Sequence, residues 1–200
     1  MEIIDITRGI FDSENQDSER EPKSCFLKSI LKGDECNISA FYTNSHCGTH
    51  IDAPSHFIED GMTIDEIDCA AFIGPCRVIK VPEEPITGEY VENNFPRGCK
   101  RILVKGNGNA SFFDHGAYAA INLGYTLIGT DAKAVGTQNC QIAVHKAFFN
   151  NKIGVLEGLD LSEVSEGNYF LIALPMKANG LEAAPARAIL IKDSFEWKKR

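Results

Sequence analysis

Residues 46–57, HCGTHIDAPSHF, constrain this chain more tightly than any other stretch. They hold three of its five histidines and an aspartate, with Gly48 and Pro54 set among them. A helix would bring His46 and His50 together at i, i+4, yet Gly48, Thr49, Ile51 and Pro54 make a poor helical interior. A straight strand would put His46, His50 and Asp52 on one face and Cys47, Thr49 and Ile51 on the other. His46 would still lie too far away to share an ion, because four residues of strand span about 13 Å. A chain that turns at Gly48, where no Cβ restricts φ, folds His46 back toward His50. The stretch therefore reads as strand, turn, strand, and its density of imidazole and carboxylate donors points to a metal site. Taken singly, each histidine reads equally well as a surface or hydrogen-bonded residue, and Asp52 as a turn former.

The rest of the composition narrows the partners. A chain of 200 residues fits one domain and can bury roughly 70% of the surface it exposes when unfolded. A net charge of −8 disfavours a nucleic-acid partner, and the basic Lys198-Lys199-Arg200 end is too short to reverse that. The opening MEIIDITRGI lacks a basic n-region and a long apolar core, and no apolar run approaches the length that crosses a bilayer. The expectation is a cytoplasmic protein with a small-molecule substrate and no membrane partner. Seven cysteines, an odd number with no CxxC pair, read as thiols in a reducing compartment, and Cys47 as a core residue facing away from the ligands.

Taken in order, residues 2–7 suit an opening strand, 12–24 a polar loop, and 37–43 the strand that delivers His46. A short helix is expected from Ile64, a strand over 76–81, a long connection over 82–98 and a buried strand over 101–105. The glycine-rich stretch from 106 matches neither phosphate-loop spacing and reads at most as a pocket-lining loop. Asp114 suits the cap of a helix over 115–123 ending near Gly124, which leaves His115 at the surface. Strands are expected over 125–129, 153–157, 168–174 and 187–192, with a helix over 141–150 stopped at Asn150-Asn151. His145 and Glu157 stand twelve residues apart, a spacing that suits one ligand on that helix and another on the strand returning beside it. Either is ambiguous alone, but Glu157 follows an apolar run, and a buried carboxylate needs a charge partner or a metal.

HCGTHIDAPSHF fills every position of the HxGTHxDxPxHF signature, and the chain resembles the cyclase family of metal-dependent hydrolases, which includes kynurenine formamidases and isatin hydrolases. GTDAKAVG is similar to the family's GxDxxSVG-like segment, with Ala134 at the serine. Residues 180–190, GLEAAPARAIL, match its carboxy-terminal signature, with Glu182-Ala183 where Asp-Gly is more usual. Only residues 11–30 fall clearly outside the resemblance, and 12–24 lack the family's aromatic-rich Pro-Gly-Asp loop. The resemblance implies one domain over 1–200: α/β, with a mixed β-core, few helices and a swivelling β/β/α architecture. It implies metal ligation by His46, His50, Asp52, His145 and Glu157, with Asp52 and Glu157 able to bridge two ions. A homodimer or homotetramer is also implied.

The chemistry expected of such a site is hydrolysis. Two divalent ions bring four positive charges against two carboxylates, an excess that favours hydroxide over water much as zinc lowers a bound water's pKa to about 7. Such a nucleophile attacks a carbonyl carbon, and an amide leaving group then needs a proton. His56 is the candidate proton shuttle, the alternative being a further ligand or a support for one. One or two ions per chain are expected, zinc first and manganese where oxygen donors dominate. The expected reaction is cleavage of a carbon–nitrogen bond in an aryl formamide resembling N-formylkynurenine, or in a cyclic amide. The alternatives are a non-catalytic metal-binding module and a lyase or ring-closing enzyme using the same site.

Overall fold

The computed structural model describes residues 1–12 and 23–192. The early strands are β1 (Glu2–Asp5), β2 (Lys23–Lys28), β3 (Ile38–Tyr42), β4 (His50–Asp52) and β5 (Ile73–Lys80). Helix α1 (Gly88–Asn94), β6 (Arg101–Lys105), α2 (Asp114–Asn122), β7 (Leu127–Thr130), α3 (Gln141–Asn150) and β8 (Gly154–Glu157) follow in alternation. Two long strands, β9 (Gly167–Pro175) and β10 (Ala183–Lys192), complete the order.

Strands β5, β6, β7 and β8 pair in parallel, as expected of apolar strands joined through helices. The antiparallel strands β9, β10 and β4 carry the sheet round from β5 back to β8, so seven strands close into a mixed barrel and β1 pairs with the far end of β10. Period-two alternation divides the core in two. Leu103, Leu127, Leu156 and Ile51 pack inside the barrel with Leu171 and Ala188, while Ile102, Val104, Ile128 and Val155 face outward onto the helices. Helix α3 covers that outer layer with Val144, Ala147 and Phe148. This single α/β domain with a mixed β-core and few helices agrees with the sequence expectation.

Some local expectations need correction. The predicted helix from Ile64 is a turn instead: the Thr63 hydroxyl donates to Asp65 Oδ1 at 2.8 Å, and Ile64 N donates to Leu181 O at 2.8 Å. Side-chain bonding of this kind competes with helix formation. The connection over 82–98 contains α1, whose first turn is capped by Thr87, its Oγ1 accepting from Tyr90 N at 3.1 Å. Asp114 is the first residue of α2, not its cap, and the helix ends before Gly124 at φ 79°. The loop expected over 12–24 lies from 13 to 22 outside the described residues, and Lys23 and Ser24 belong to β2. Strand β3 pairs with β2 in a separate hairpin, on which Phe26, Leu27, Phe41 and Tyr42 are exposed.

Candidate metal centre

The site is built where β4 is held between β10 and β8. Because Ile51 points into the barrel, its neighbours His50 and Asp52 must point out, toward α3. The β4–β8 register places Glu157 opposite His50, and that of β10 places Ala183 opposite Asp52. The chain reaches β4 through Gly48, at φ 68°, and an added Cβ there would meet Arg8 O at 2.7 Å. This is the turn required by the sequence, and it brings His46 Nδ1 within 3.0 Å of Asp52 Oδ1. Thr49 locks the corner: its buried hydroxyl accepts from Arg8 N at 2.8 Å and donates to Gly158 O at 2.7 Å. Cys47 is buried, as expected, with its thiol donating to Ile10 O at 3.2 Å.

The five predicted ligands form one cluster. Donor atoms of His46, His50 and Asp52 lie within 4.8 Å of one another, and so do those of Asp52, His145 and Glu157. Asp52 belongs to both groups. His145 Nε2, buried on α3, stands 3.3 Å from Asp52 Oδ2 and 3.1 Å from Glu157 Oε1. His50 Nε2 stands 3.4 Å from Asp52 Oδ1 and 3.3 Å from Glu157 Oε2. The opposite nitrogens are spoken for. His50 Nδ1 donates to Gly48 O at 3.0 Å and His145 Nδ1 to Gln141 O at 2.7 Å, and a carbonyl can only accept. Each Nε2 is thereby turned toward the carboxylates. His115 stays exposed and apart.

The electrostatics follow from burying two carboxylates among imidazoles. Burial alone would lower the pKa of His50, but the hydrogen bond to Glu157 and the charges of Asp52 and Glu157 outweigh it and raise it to about 9. For His145 the same balance, with the carboxylates of Asp52 at 3.3 Å and Glu157 at 3.1 Å, raises it to about 10. Asp52 and Glu157 move the other way: burial opposes ionisation, and their histidine neighbours hold both below the usual carboxylate range. Glu157 also accepts from Val135 N at 2.7 Å. Neither oxygen of Asp52 accepts a well-aligned hydrogen bond, although both are buried and lie close to imidazole nitrogens. Such orphaned oxygens at the centre of three imidazoles and a second carboxylate are what a divalent cation satisfies. The donor set fits zinc or manganese.

The cluster opens into a cavity of about 820 Å³ lined by His46, His50, His56, Glu157, Lys133 and Glu182 among others. His56 is half-buried at its wall, in the short 3-10 turn Pro54–His56, its ring 4.2 Å from that of His46 and 4.0 Å from Phe57. Burial lowers its pKa. Sequence reasoning gave no role to Glu182, whose carboxylate accepts from Ser45 Oγ at 2.5 Å and lies 3.1 Å from His46 Nε2. Its only sequence signal was its place in the segment over 180–190. In the glycine-rich stretch, Asn107 and Gly108 line a neighbouring cavity of about 720 Å³.

Comparison with known proteins identifies the family. Residues 4–106 match the Cyclase family model. Kynurenine formamidase of Delftia acidovorans is 36% identical over 174 residues, covering 81% of this chain and 83% of that protein. Cyclase-like protein 2 of Oryza sativa subsp. japonica is 32% identical, covering 82% of this chain and 69% of that protein. A solved structure described as a potential metal-dependent hydrolase with cyclase activity superposes at TM-score 0.79, with 27% identity over 94% of this chain and 96% of the other. Isatin hydrolase A of Labrenzia aggregata shares the fold at TM-score 0.78 and 19% identity, covering 96% of this chain and 94% of its own. The family model spans more than half of the sequence and the curated relatives most of it: the chain belongs to the cyclase family.

Proposed function

We propose that this chain is a metal-dependent amidohydrolase that cleaves a non-peptide carbon–nitrogen bond, with an aryl formamide resembling N-formylkynurenine as its substrate and a cyclic amide as the related alternative. The observation that carries the reading is the pair of buried, unsatisfied oxygens of Asp52 beside an open cavity. Relatives named kynurenine formamidase, at 36% and 33% identity, support the formamide.

In this reading His46, His50 and Asp52 would hold one ion, and Asp52, His145 and Glu157 could hold a second. A bound divalent ion supplies a Lewis acid that activates water and polarises a carbonyl oxygen. The protein residues do the rest. Gly48 O and Gln141 O fix the orientation of His50 and His145. Val135 N does the same for Glu157. His56 has no hydrogen bond to either ring nitrogen among the described residues, and burial, which lowers its pKa, favours the neutral ring. In this reading it would take a proton from the attacking water and return it to the leaving amine.

The volume open to the cluster favours catalysis over a coordinatively closed binding module. Assembly as a homodimer or homotetramer belongs to the same proposal, supported by the exposed apolar side chains of the β2–β3 hairpin, and sedimentation tests it. No helix among the described residues is long and apolar enough to cross a membrane. The functional test is turnover of formamides, lactams, imides and carbamates by the metal-replete protein. Formamide hydrolysis that is lost in His56→Ala with metal content unchanged is expected. Inactivity of the wild type across the whole panel would overturn the reading.

A further inference from the structure

We propose that Glu182 is a positioning residue that selects Nδ1 as the metal-binding atom of His46 and holds that ring at the mouth of the site. The inference rests on the metal reading above and adds a residue to it. His46 differs from the other two histidines of the cluster. His50 and His145 turn Nδ1 to backbone carbonyls and Nε2 to the carboxylates, whereas His46 turns Nδ1 to Asp52, at 3.0 Å, and Nε2 to Glu182, at 3.1 Å. An imidazole that presents a lone pair to a cation on one side carries its proton on the other. Here the proton sits on Nε2 and donates to Glu182 Oε1. A carboxylate in that place fixes the tautomer and makes the ring a stronger donor.

Glu182 is itself held. Its backbone carbonyl accepts from Ala53 N at 2.8 Å, next to Asp52, and its carboxylate accepts from Ser45 Oγ at 2.5 Å, next to His46. The residue immediately after it, Ala183, pairs with Asp52. Both partners of the His46 ring are therefore fixed by one strand register. The need for such a clamp is physical: His46 precedes the Gly48 turn and sits outside β4, with about a fifth of its side chain exposed, while Asp52 and His145 are almost fully buried. Without Glu182 the ring loses the partner that stops it rotating toward solvent.

The test measures Co²⁺ affinity by competition with a chelator, together with the Co²⁺ absorption spectrum, for the wild type, Glu182→Ala and Glu182→Gln. Loss of a carboxylate that orients a ligating histidine weakens metal binding about 10–100-fold, and this is expected of Glu182→Ala along with an altered spectrum. Glu182→Gln keeps an acceptor for Nε2–H and for Ser45, so it should recover most of the affinity and a spectrum closer to wild type. Ser45→Ala should shift both readouts in the direction of Glu182→Ala, by less. Wild-type affinity and spectrum in Glu182→Ala would overturn the proposal. If Glu182→Ala does not fold, reduced affinity and an altered spectrum in Ser45→Ala beside near-wild-type behaviour in Glu182→Gln support it, and wild-type affinity and spectrum in Ser45→Ala overturn it. A wild type that takes up no Co²⁺ would defeat the metal reading itself, which separates that failure from this one.

Discussion

Replacing Asp52 by asparagine tests the centre of the site through stability, independently of any substrate. Asp52 is common to both donor groups, and its two oxygens are buried without aligned donors. A structural zinc site binds its ion with about 10–16 kcal/mol over four ligands, or about 2.5–4 kcal/mol for each. Removing one therefore weakens affinity about 100–1000-fold. With free metal held at a thousand times the wild-type Kd, ligation stabilises the wild type by about 4 kcal/mol, and a chelator should lower its Tm by about 8–16 °C. Under the same conditions Asp52→Asn keeps only about 0.4–1.4 kcal/mol of that linkage, and the chelator should move its Tm by about 1–6 °C. Thermal unfolding followed by circular dichroism, with and without chelator, reads the difference of differences, so any change in the metal-free stability of the variant cancels. The exposed His115→Ala serves as a control that keeps the full wild-type shift. A chelator shift in Asp52→Asn equal to that of the wild type would refute the assignment of Asp52 as the shared ligand.

Other perturbations report on the scaffold. Gly48→Ala places a Cβ 2.7 Å from Arg8 O at φ 68°, and should cost at least about 2 kcal/mol and weaken metal uptake; urea unfolding and metal analysis check both. Thr49→Val leaves Arg8 N and Gly158 O without the hydroxyl they share, and should cost about 1–3 kcal/mol in the same unfolding assay. Burial pushes the Cys76 thiol up to about 12, so at pH 8 it should resist alkylation in the native protein while the exposed Cys25, Cys36 and Cys69 react. The sign of its pH linkage is set as well: the unfolded thiol ionises near pH 8.5 and the folded one near 12. The fold should therefore lose about 1.4 kcal/mol per pH unit between those values, as alkaline unfolding curves of wild type and Cys76→Ala would reveal.

Much of this architecture was legible because its signals are local. Apolar runs bounded by glycine and asparagine marked β6, β8 and α3 within a residue or so, and Gly48 announced the turn that the histidines require. The pairing of His145 with Glu157 was compatible with their spacing, since a helix followed by a tight return can put both on one side, but the spacing left each ambiguous and the family resemblance singled them out. Less visible were features decided by partners far along the chain. Helix α1 lies between Pro85 and Pro96, residues that dominate a reading of its neighbourhood, and only the Thr87 cap betrays it. The contact between Glu182 and His46 spans 136 positions and exists only because β10 pairs beside β4. The turn that replaces a helix after Thr63 is likewise set from afar, by Leu181 O.

The placement of β4 has a consequence for assembly in time. Its three residues are paired on both edges by strands made much later, β8 at 154–157 and β10 at 183–192. On a ribosome adding about 5–20 residues per second, His50 and Asp52 wait roughly 5–25 s for the chain that will flank them. During that interval the nascent chain offers a cation only the loose chelate of its early half, with the entropy of a loop of some hundred residues still to be lost before Glu157 and His145 can join. If the cluster holds an ion as proposed, its full donor set exists only once the barrel has closed, so the site is completed by the same late step that sets the register of the sheet.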